Sequence, residues 1–213
     1  MGVPGLTAYG GLKRVARIQG GEPGVVTSAA GMVGATAAQI AKIIGCQVIG
    51  VAGGAAKCNW LKDELGLEEA IDYKAVDDLG TAVAEAAPDG VDVLFDNVGN
   101  RFVDALLPWM RMNGRIVVSG QVGDYNLAPE DIHGITNTRV FITHRVRMEG
   151  LVVFDDIADF PAAQAEMAAW IKAGKLVYRE KIYEGIENAP KAFRDVFEGT
   201  YFGRHLVQLA DIP

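Results

Sequence analysis

The chain is poor in the residues that make covalent or metal cross-links, with two cysteines and three histidines among 213 residues. Cys46 and Cys58 form no C-x-x-C pair, and His133, His144 and His205 stand alone. Neither a disulfide framework nor a zinc pattern is expected, and a reducing compartment is. No apolar run is long enough to span a bilayer, and no basic stretch leads into an apolar core at the start, so neither a membrane span nor a secretory signal is expected. A cytoplasmic location is expected. Positive charge is also in deficit, with 20 Lys and Arg against 27 Asp and Glu and a net charge of −7. That balance argues against nucleic acid and anionic membranes as partners. One local absence carries most weight: no Asp or Glu occurs between Glu22 and Asp63, whereas Lys42, Lys57 and Lys62 all fall in that window.

The positive features begin inside the same window. Val25-Val26-Thr27-Ser28-Ala29-Ala30-Gly31-Met32-Val33-Gly34 is an apolar strand entering a glycine turn, followed by a helical pattern of Ala37, Ile40, Ala41 and Ile44. A helix that starts directly after a strand points unpaired N–H groups and its positive dipole end at the turn, which suits a phosphate. Gly31 admits close approach of a pyrophosphate and Gly34 lets the helix pack against the sheet, although Ala29 replaces the first glycine of G-x-G-x-x-G. Gln47 to Ala52 is a second strand and closes a βαβ unit. In an NAD site the end of that strand carries an acid for the ribose 2′-hydroxyl. Here it reads Ala52-Gly53-Gly54. A ribose phosphate would be repelled by a carboxylate and attracted by a lysine, so the gap favours NADP, with Lys57 as its partner.

Further along, helices are expected over residues 5–19, 55–65, 77–87, 101–112 and 156–173, and strands over 70–73, 91–96, 115–120 and 147–154. Near-continuous apolar strands alternating with helices describe a doubly wound parallel sheet of the α/β class, in the order 3-2-1-4-5-6. Ligands in such sheets bind beyond the carboxyl ends of the strands, which places Ala30-Gly31, Asn97-Val98-Gly99 and Ser119-Gly120-Gln121 at the site. After about Leu176 the character changes. Val177 to Glu184 and Leu206 to Leu209 look like strands and Asn188 to Glu198 like a helix, so residues 177–213 are expected to serve another domain than residues 1–176.

Gly31-Met32-Val33-Gly34, Val51 to Cys58, Ala70-Ile71-Asp72-Tyr73-Lys74, Phe95-Asp96-Asn97-Val98-Gly99, Gly150 to Phe154 and Glu184 to Pro190 occur in order. Together they resemble the zinc-independent medium-chain dehydrogenase/reductases, in particular the leukotriene 12-hydroxydehydrogenase and prostaglandin reductase group with its curcumin-reductase-like relatives. The resemblance covers essentially the whole chain. It implies a Rossmann cofactor domain and NADPH-dependent reduction of the C=C bond of α,β-unsaturated ketones and aldehydes, with hydride delivered to the β-carbon. It implies that Ala30, Gly31, Met32, Val33 and Gly34 hold the pyrophosphate, that Lys57 and Tyr73 hold the adenosine phosphate side, and that Asn97, Ser119 and Gly120 line the nicotinamide half. Leu151, Val152 and Val153 match a segment whose backbone meets the nicotinamide amide. Tyr125 matches the tyrosine at the active-site mouth, as donor to the developing enolate. No metal is implied. A small enone or enal is the implied substrate, and a homodimer the implied assembly.

Two departures from the group stand out. The group has an N-terminal GroES-like substrate domain, whereas this sequence starts at the entrance to the cofactor domain. That domain is therefore expected to be absent, residues 177–213 to be the segment that returns to it, and the isolated chain to turn over substrate poorly. The group's Gly-x-Asn-x-Gly-Lys pattern reads Gly199-Thr200-Tyr201-Phe202-Gly203-Arg204, with Tyr201 in place of asparagine. A non-catalytic NADPH-binding module or truncated fragment, and a quinone oxidoreductase, stay open as alternatives. A short-chain dehydrogenase is disfavoured, because the only Tyr-x-x-x-Lys, at Tyr9 and Lys13, precedes the glycine turn.

Overall fold

A computed structural model describes residues 2–199 and 202–210. Six parallel strands form one sheet in the order β3-β2-β1-β4-β5-β6, the order expected from the alternation of elements. They are β1 (Pro23–Val26), β2 (Gln47–Ala52), β3 (Glu69–Asp72), β4 (Val91–Asp96), β5 (Met110–Val118) and β6 (Arg147–Gly150). The helices on the sheet are α1 (Val3–Gly10), α2 (Met32–Ile44), α3 (Ala55–Asp63), α4 (Leu79–Ala86), α5 (Asn100–Leu106), the short α6 (Arg139–Thr143) and α7 (Phe160–Lys172). Beyond them, β7 (Glu180–Glu184), α8 (Ala189–Glu198) and β8 (Arg204–Gln208) form a separate unit in which β7 and β8 pair in parallel. Among the described residues no helix is long and apolar enough to cross a membrane.

Each face of the sheet carries its own apolar core. Val26, Val48, Val93, Phe95 and Val117 point to the side of α1, α2 and α7, and Val25, Ile49, Val51, Leu94 and Ile116 to the side of α4 and α5. Alternation along the strands produces this division, because successive side chains leave opposite faces. Ala37, Ala38 and Ala41 are buried on α2, and their small side chains bring its backbone close to the sheet. A six-residue π-helical stretch, Gly11–Ala16, continues α1, and Arg17 closes it in the left-handed conformation. A Cβ at Gly11 would stand 2.5 Å from the Phe95 ring, so glycine there lets the chain lie on the aromatic side chain.

Several boundaries differ from those read off the sequence. The helix expected to Met112 stops at Leu106 and passes through a 3₁₀ turn, Leu107–Trp109, into β5. Pro108 lacks the N–H that a continuing helix needs. The long β5 absorbs a register shift opposite Val91 and Val93, with Asn113 at φ 62°. The strand expected to Phe154 ends at Gly150, and a 3₁₀ stretch, Val153–Asp159, precedes α7, which opens with Pro161 in its first turn. Ile157, expected on the buried side of α7, therefore lies before the helix and is 60% exposed.

Phe95 is fully buried at the centre of the sheet. Phe95→Ala is expected to destabilise the chain by about 3–5 kcal/mol, measured as a lower denaturant midpoint at unchanged m-value; a loss below about 1 kcal/mol would place the core elsewhere.

Candidate functional site

A cleft of about 550 Å³ opens at the carboxyl ends of β1, β2 and β4. Strands β1 and β4 are neighbours, yet α2 after β1 packs on one face of the sheet and α5 after β4 on the other. The two chains diverge where they leave the sheet, and a crevice results. Ala30, Gly31, Met32 and Val33 form its floor, Gly53, Lys57, Tyr73 and Lys74 one end, and Val98, Val122 and Gly123 the other.

The floor is built by the turn after β1. Ser28 takes φ 49°, a left-handed conformation uncommon for a residue with a side chain. Gly31 caps α2 without a side-chain bond, and its carbonyl takes the first helical hydrogen bond, from the Ala35 N–H at 2.8 Å. The N–H groups of Met32, Val33 and Gly34 thus have no helical partner and face the cleft end of the helix. A Cβ at Gly34 would collide with the Ser28 carbonyl oxygen. Gly34 itself lies beneath the cleft and keeps helix and turn in contact.

At the β2 end, Lys57 lies in the first turn of α3. Burial lowers its pKa first and the nearby Lys74 charge second. The other two lysines of the acid-free window are engaged elsewhere: Lys42 donates to the Leu65 carbonyl at 3.1 Å, and Lys62 pairs with Glu69 at 3.2 Å. Tyr73 meets the edge of Phe102, ring centroids 5.2 Å apart, and Lys74 lies 5.9 Å from the Tyr73 ring. An acid does reach this region through space. Asp72, ending β3, accepts from the Gly54 N–H at 2.8 Å and the Lys74 N–H at 3.0 Å, so its Oδ1 serves the backbone of the two loops.

At the β4 end the Asn97 side chain donates to the Thr27 carbonyl at 2.8 Å and shapes the wall from below. Ser119 and Gly120 follow β5, with the Ser119 N–H on the Asp96 carbonyl at 2.8 Å. A Cβ at Gly120 would be 3.8 Å from the Tyr125 hydroxyl, which places Tyr125, 65% exposed, beside the exit of β5. Leu151 and Val153 lie outside the large cleft. They line a smaller cavity of about 120 Å³ with Leu6, Tyr9 and Phe160, while the Leu151 N–H bonds to the Val118 carbonyl at 3.0 Å; Val152 is exposed.

Lys74, Phe102, Arg204 and His205 also line the cleft and were not singled out from the sequence. Lys74 is adjacent to Tyr73 in the motif quoted above, and that adjacency was its only signal. Arg204 and His205 arrive from the tail, where the Gly203 N–H bonds to the Ala30 carbonyl at 2.9 Å and Phe202 stacks between Trp60, at 5.2 Å, and the Arg179 guanidinium, at 4.5 Å. Tyr201 lies outside the described residues. Among those residues no group of three or more His, Cys, Asp or Glu comes together.

The fold and site are those of a doubly wound α/β domain with a glycine-turn crevice. Residues 33–169 match the family model described as zinc-binding dehydrogenase, so the chain belongs to that family. It is 41% identical over 210 residues to a 2-alkenal reductase (NADP(+)-dependent) of Nicotiana tabacum, covering 99% of this chain and 61% of that protein. It is 39% identical over 219 residues to an NADPH-dependent curcumin reductase of Escherichia coli, covering 99% and 62%. The crystal structure of CurA from Vibrio vulnificus in complex with NADPH superposes with a TM-score of 0.91 at 38% identity, over 98% of this chain and 63% of that one. The chain thus spans a little over three-fifths of these relatives, and the resemblance to the curcumin and prostaglandin reductase group holds.

The loop that carries Tyr125 is anchored beyond it by Asp104 of α5. Its carboxylate accepts from the Thr136 hydroxyl at 2.7 Å and from the N–H groups of Thr136 and Asn137 at 2.8 and 2.9 Å, with His133 at 3.2 Å. Burial would raise its pKa, but these bonds outweigh it and hold the group at about 2 against an ordinary 3.8. A depressed folded pKa stabilises above the ordinary value and loses that contribution as pH falls towards 2. Asp104→Asn should therefore flatten the acid limb of stability between about pH 4 and 2 and accelerate amide exchange at Thr136 and Asn137. An unaltered acid limb with unaltered exchange would refute the anchor.

Proposed function

We propose that this chain binds NADP(H) in the large cleft and is the cofactor-binding part of a reductase that acts on the C=C bond of α,β-unsaturated ketones and aldehydes. The observation that carries the reading is the wall at the end of β2, where Gly53 and Gly54 stand in place of an acid and Lys57 and Lys74 face the cleft together. Two ammonium groups close enough for one to lower the other's pKa favour a doubly charged anion such as a ribose 2′-phosphate. The same cofactor fits the floor, because a side chain at Gly34 would displace the turn that leaves the N–H groups of Met32, Val33 and Gly34 facing the pyrophosphate position. The likeness to the NADPH complex of CurA and to the 2-alkenal and curcumin reductases supports both cofactor and reaction.

On this reading Ala30, Gly31, Met32, Val33 and Gly34 bind the pyrophosphate, Lys57, Lys74 and Tyr73 bind the adenosine phosphate, and Asn97, Ser119 and Gly120 flank the nicotinamide. The backbone of Leu151, Val152 and Val153 orients the amide. NADPH, when bound, supplies hydride for the β-carbon of the substrate. Tyr125 then acts as hydrogen-bond donor to the carbonyl oxygen as it gains enolate charge. Its phenolic O–H is the group that donates.

Residues 177–213 contribute to a second, substrate-binding domain. Supporting this, β7 and β8 pair apart from the main sheet, and Phe193, Val196 and Phe197 of α8 leave their rings and branched carbons in solvent. The protein forms a homodimer through the outer edge of β6, next to which Val152, Phe154 and Ile157 expose apolar surface. Its compartment is the cytoplasm, supported by two buried free cysteines.

Calorimetric titration with both dinucleotides tests the cofactor: NADPH should bind more tightly than NADH, and Lys57→Ala should weaken NADPH by roughly ten- to a hundredfold while sparing NADH. Equal affinities, or an indifferent Lys57→Ala, defeat the assignment. Tyr125→Phe tests the donor in the protein that carries the substrate-binding domain as well, assayed with a simple enone. It should lower kcat by up to about 10²–10³-fold with NADPH affinity unchanged; the reverse pattern would make Tyr125 a binding residue.

A further inference from the structure

Asp96, the last residue of β4, is fully buried and does not itself line the cleft. Its carboxylate is nevertheless the point where two strand exits meet. The Thr27 hydroxyl, at the exit of β1, donates to Asp96 Oδ1 at 2.6 Å. The same hydroxyl oxygen accepts from the Asn97 N–H at 2.9 Å. The Gly99 N–H donates to Asp96 Oδ2 at 2.8 Å, and the Val98 N–H to Oδ1 at 3.3 Å. The segment so held supports a third exit. The Asn97 carbonyl accepts from the Val122 N–H at 3.2 Å and the Val98 carbonyl from the Gly123 N–H at 2.9 Å. Val98, Val122 and Gly123 line the cleft at its β4 end. A single buried carboxylate therefore ties the exits of β1, β4 and β5 into one unit, and none of its partners belongs to the Lys57–Tyr73 end.

We propose that Asp96 is a positioning residue for the nicotinamide half of the cleft, acting through Thr27 and the 97–99 segment on the wall formed by Val98, Val122 and Gly123. The inference rests on the cofactor reading above and deepens it. Two anchored loops alone would suggest general structural support. The one-sided reach of the network makes the effect local: the adenosine half is built by Gly54, Lys57 and Asp72, which hydrogen-bond among themselves or with the β2 and β3 exits.

The titratable group facing Asp96 from the neighbouring loop is Asp124, beyond β5, whose carboxylate would meet a Cβ placed on Gly99. Burial pushes the Asp96 carboxyl up to about 6, against the opposing bonds from Thr27, Gly99 and Val98, and the Asp124 charge adds to the rise. Loss of the Asp96 charge would weaken the acceptor on which the network is built.

Two probes separate the halves of the cleft: NADPH, which spans it, and adenosine 2′,5′-bisphosphate, which reaches only the adenosine end. For Asp96→Asn, NADPH affinity should fall on the order of tenfold with bisphosphate affinity unchanged. The ratio of NADPH to bisphosphate affinity should fall more in the native chain than in Asp96→Asn as pH drops below about 6; comparing the two chains cancels titration of the probes' own phosphates. Thr27→Val removes the hydroxyl link at constant heavy-atom count and should follow Asp96→Asn, whereas Thr27→Ser keeps the hydroxyl and should follow the native chain. These two variants decide the matter where Asp96→Asn does not fold. Equal shifts of both probes, or no shift of either, would overturn the positioning role while leaving the cofactor reading intact. A native chain that binds neither probe would overturn both.

Discussion

Parallel strands can be hydrogen-bonded along their whole length and still part at their ends, and this site depends on that divergence. β1 and β4 pair from Gly24 and Val93 to Val26 and Phe95, and the Thr27 N–H extends the ladder by one more bond to the Phe95 carbonyl at 3.1 Å. Beyond it the chains must turn to opposite faces, because α2 and α5 cover different cores. Every backbone group at such a fork is at risk of losing its partner, and a buried unpaired group costs about 1–3 kcal/mol. The fork here is closed by side chains: Thr27, Asp96 and Asn97 take up the N–H and C=O groups that the separating strands can no longer pair. Burying Asp96 is unfavourable, as its raised pKa records, and its three donors offset that cost.

Much of this was visible in the linear order of residues. Short apolar runs located all six strands of the sheet, and the order 3-2-1-4-5-6 was expected from their alternation with helices and right-handed crossovers. The glycine turn was readable because Gly31 and Gly34 do distinct, local jobs. The acid-free window was readable because it is a gap in sequence. What sequence could not reveal was contact made through space. Asp72 is remote from Gly54 in the chain but bonds to it across β3 and β2. Lys74 becomes a partner of Lys57 only once those strands pair. Ser28, an ordinary residue in the sequence, adopts φ 49° because the turn between β1 and α2 demands it. The early ends of α5 and β6 came from Pro108 and from the 3₁₀ stretch before Pro161, which compete with apolar periodicity and prevail.

The tail forms its own two-stranded sheet beside the main one. α8 packs on β7 and β8 through Ala192 and Asp195, the latter held by Tyr183 at 2.6 Å, Lys191 at 3.2 Å and Lys181 at 3.3 Å, while Phe193, Val196 and Phe197 remain outside. A helix that buries Asp195 and exposes its aromatics has its apolar face turned away from its own sheet. Val196 and Phe197 border the same cleft as the glycine turn. The exposed apolar face of α8 thus lies beside the cleft.

The tail is also fastened to the cleft floor rather than merely adjacent to it. The Gly203 N–H occupies the Ala30 carbonyl, and Phe202 is clasped between Trp60 of α3 and Arg179 ahead of β7, with Arg179 3.6 Å from Glu64. α3 begins two residues before Lys57, so the helix that presents this lysine to the cleft is the one the tail grips. The tail therefore contacts both the glycine turn, at Ala30, and the helix of the lysine wall, at Trp60. Neither the Gly203–Ala30 bond nor the Phe202 clasp involves a residue of the Thr27–Asp96 fork. The two ends of the cleft are thus braced independently, one by a buried carboxylate within the sheet and the other by an aromatic clasp from outside it.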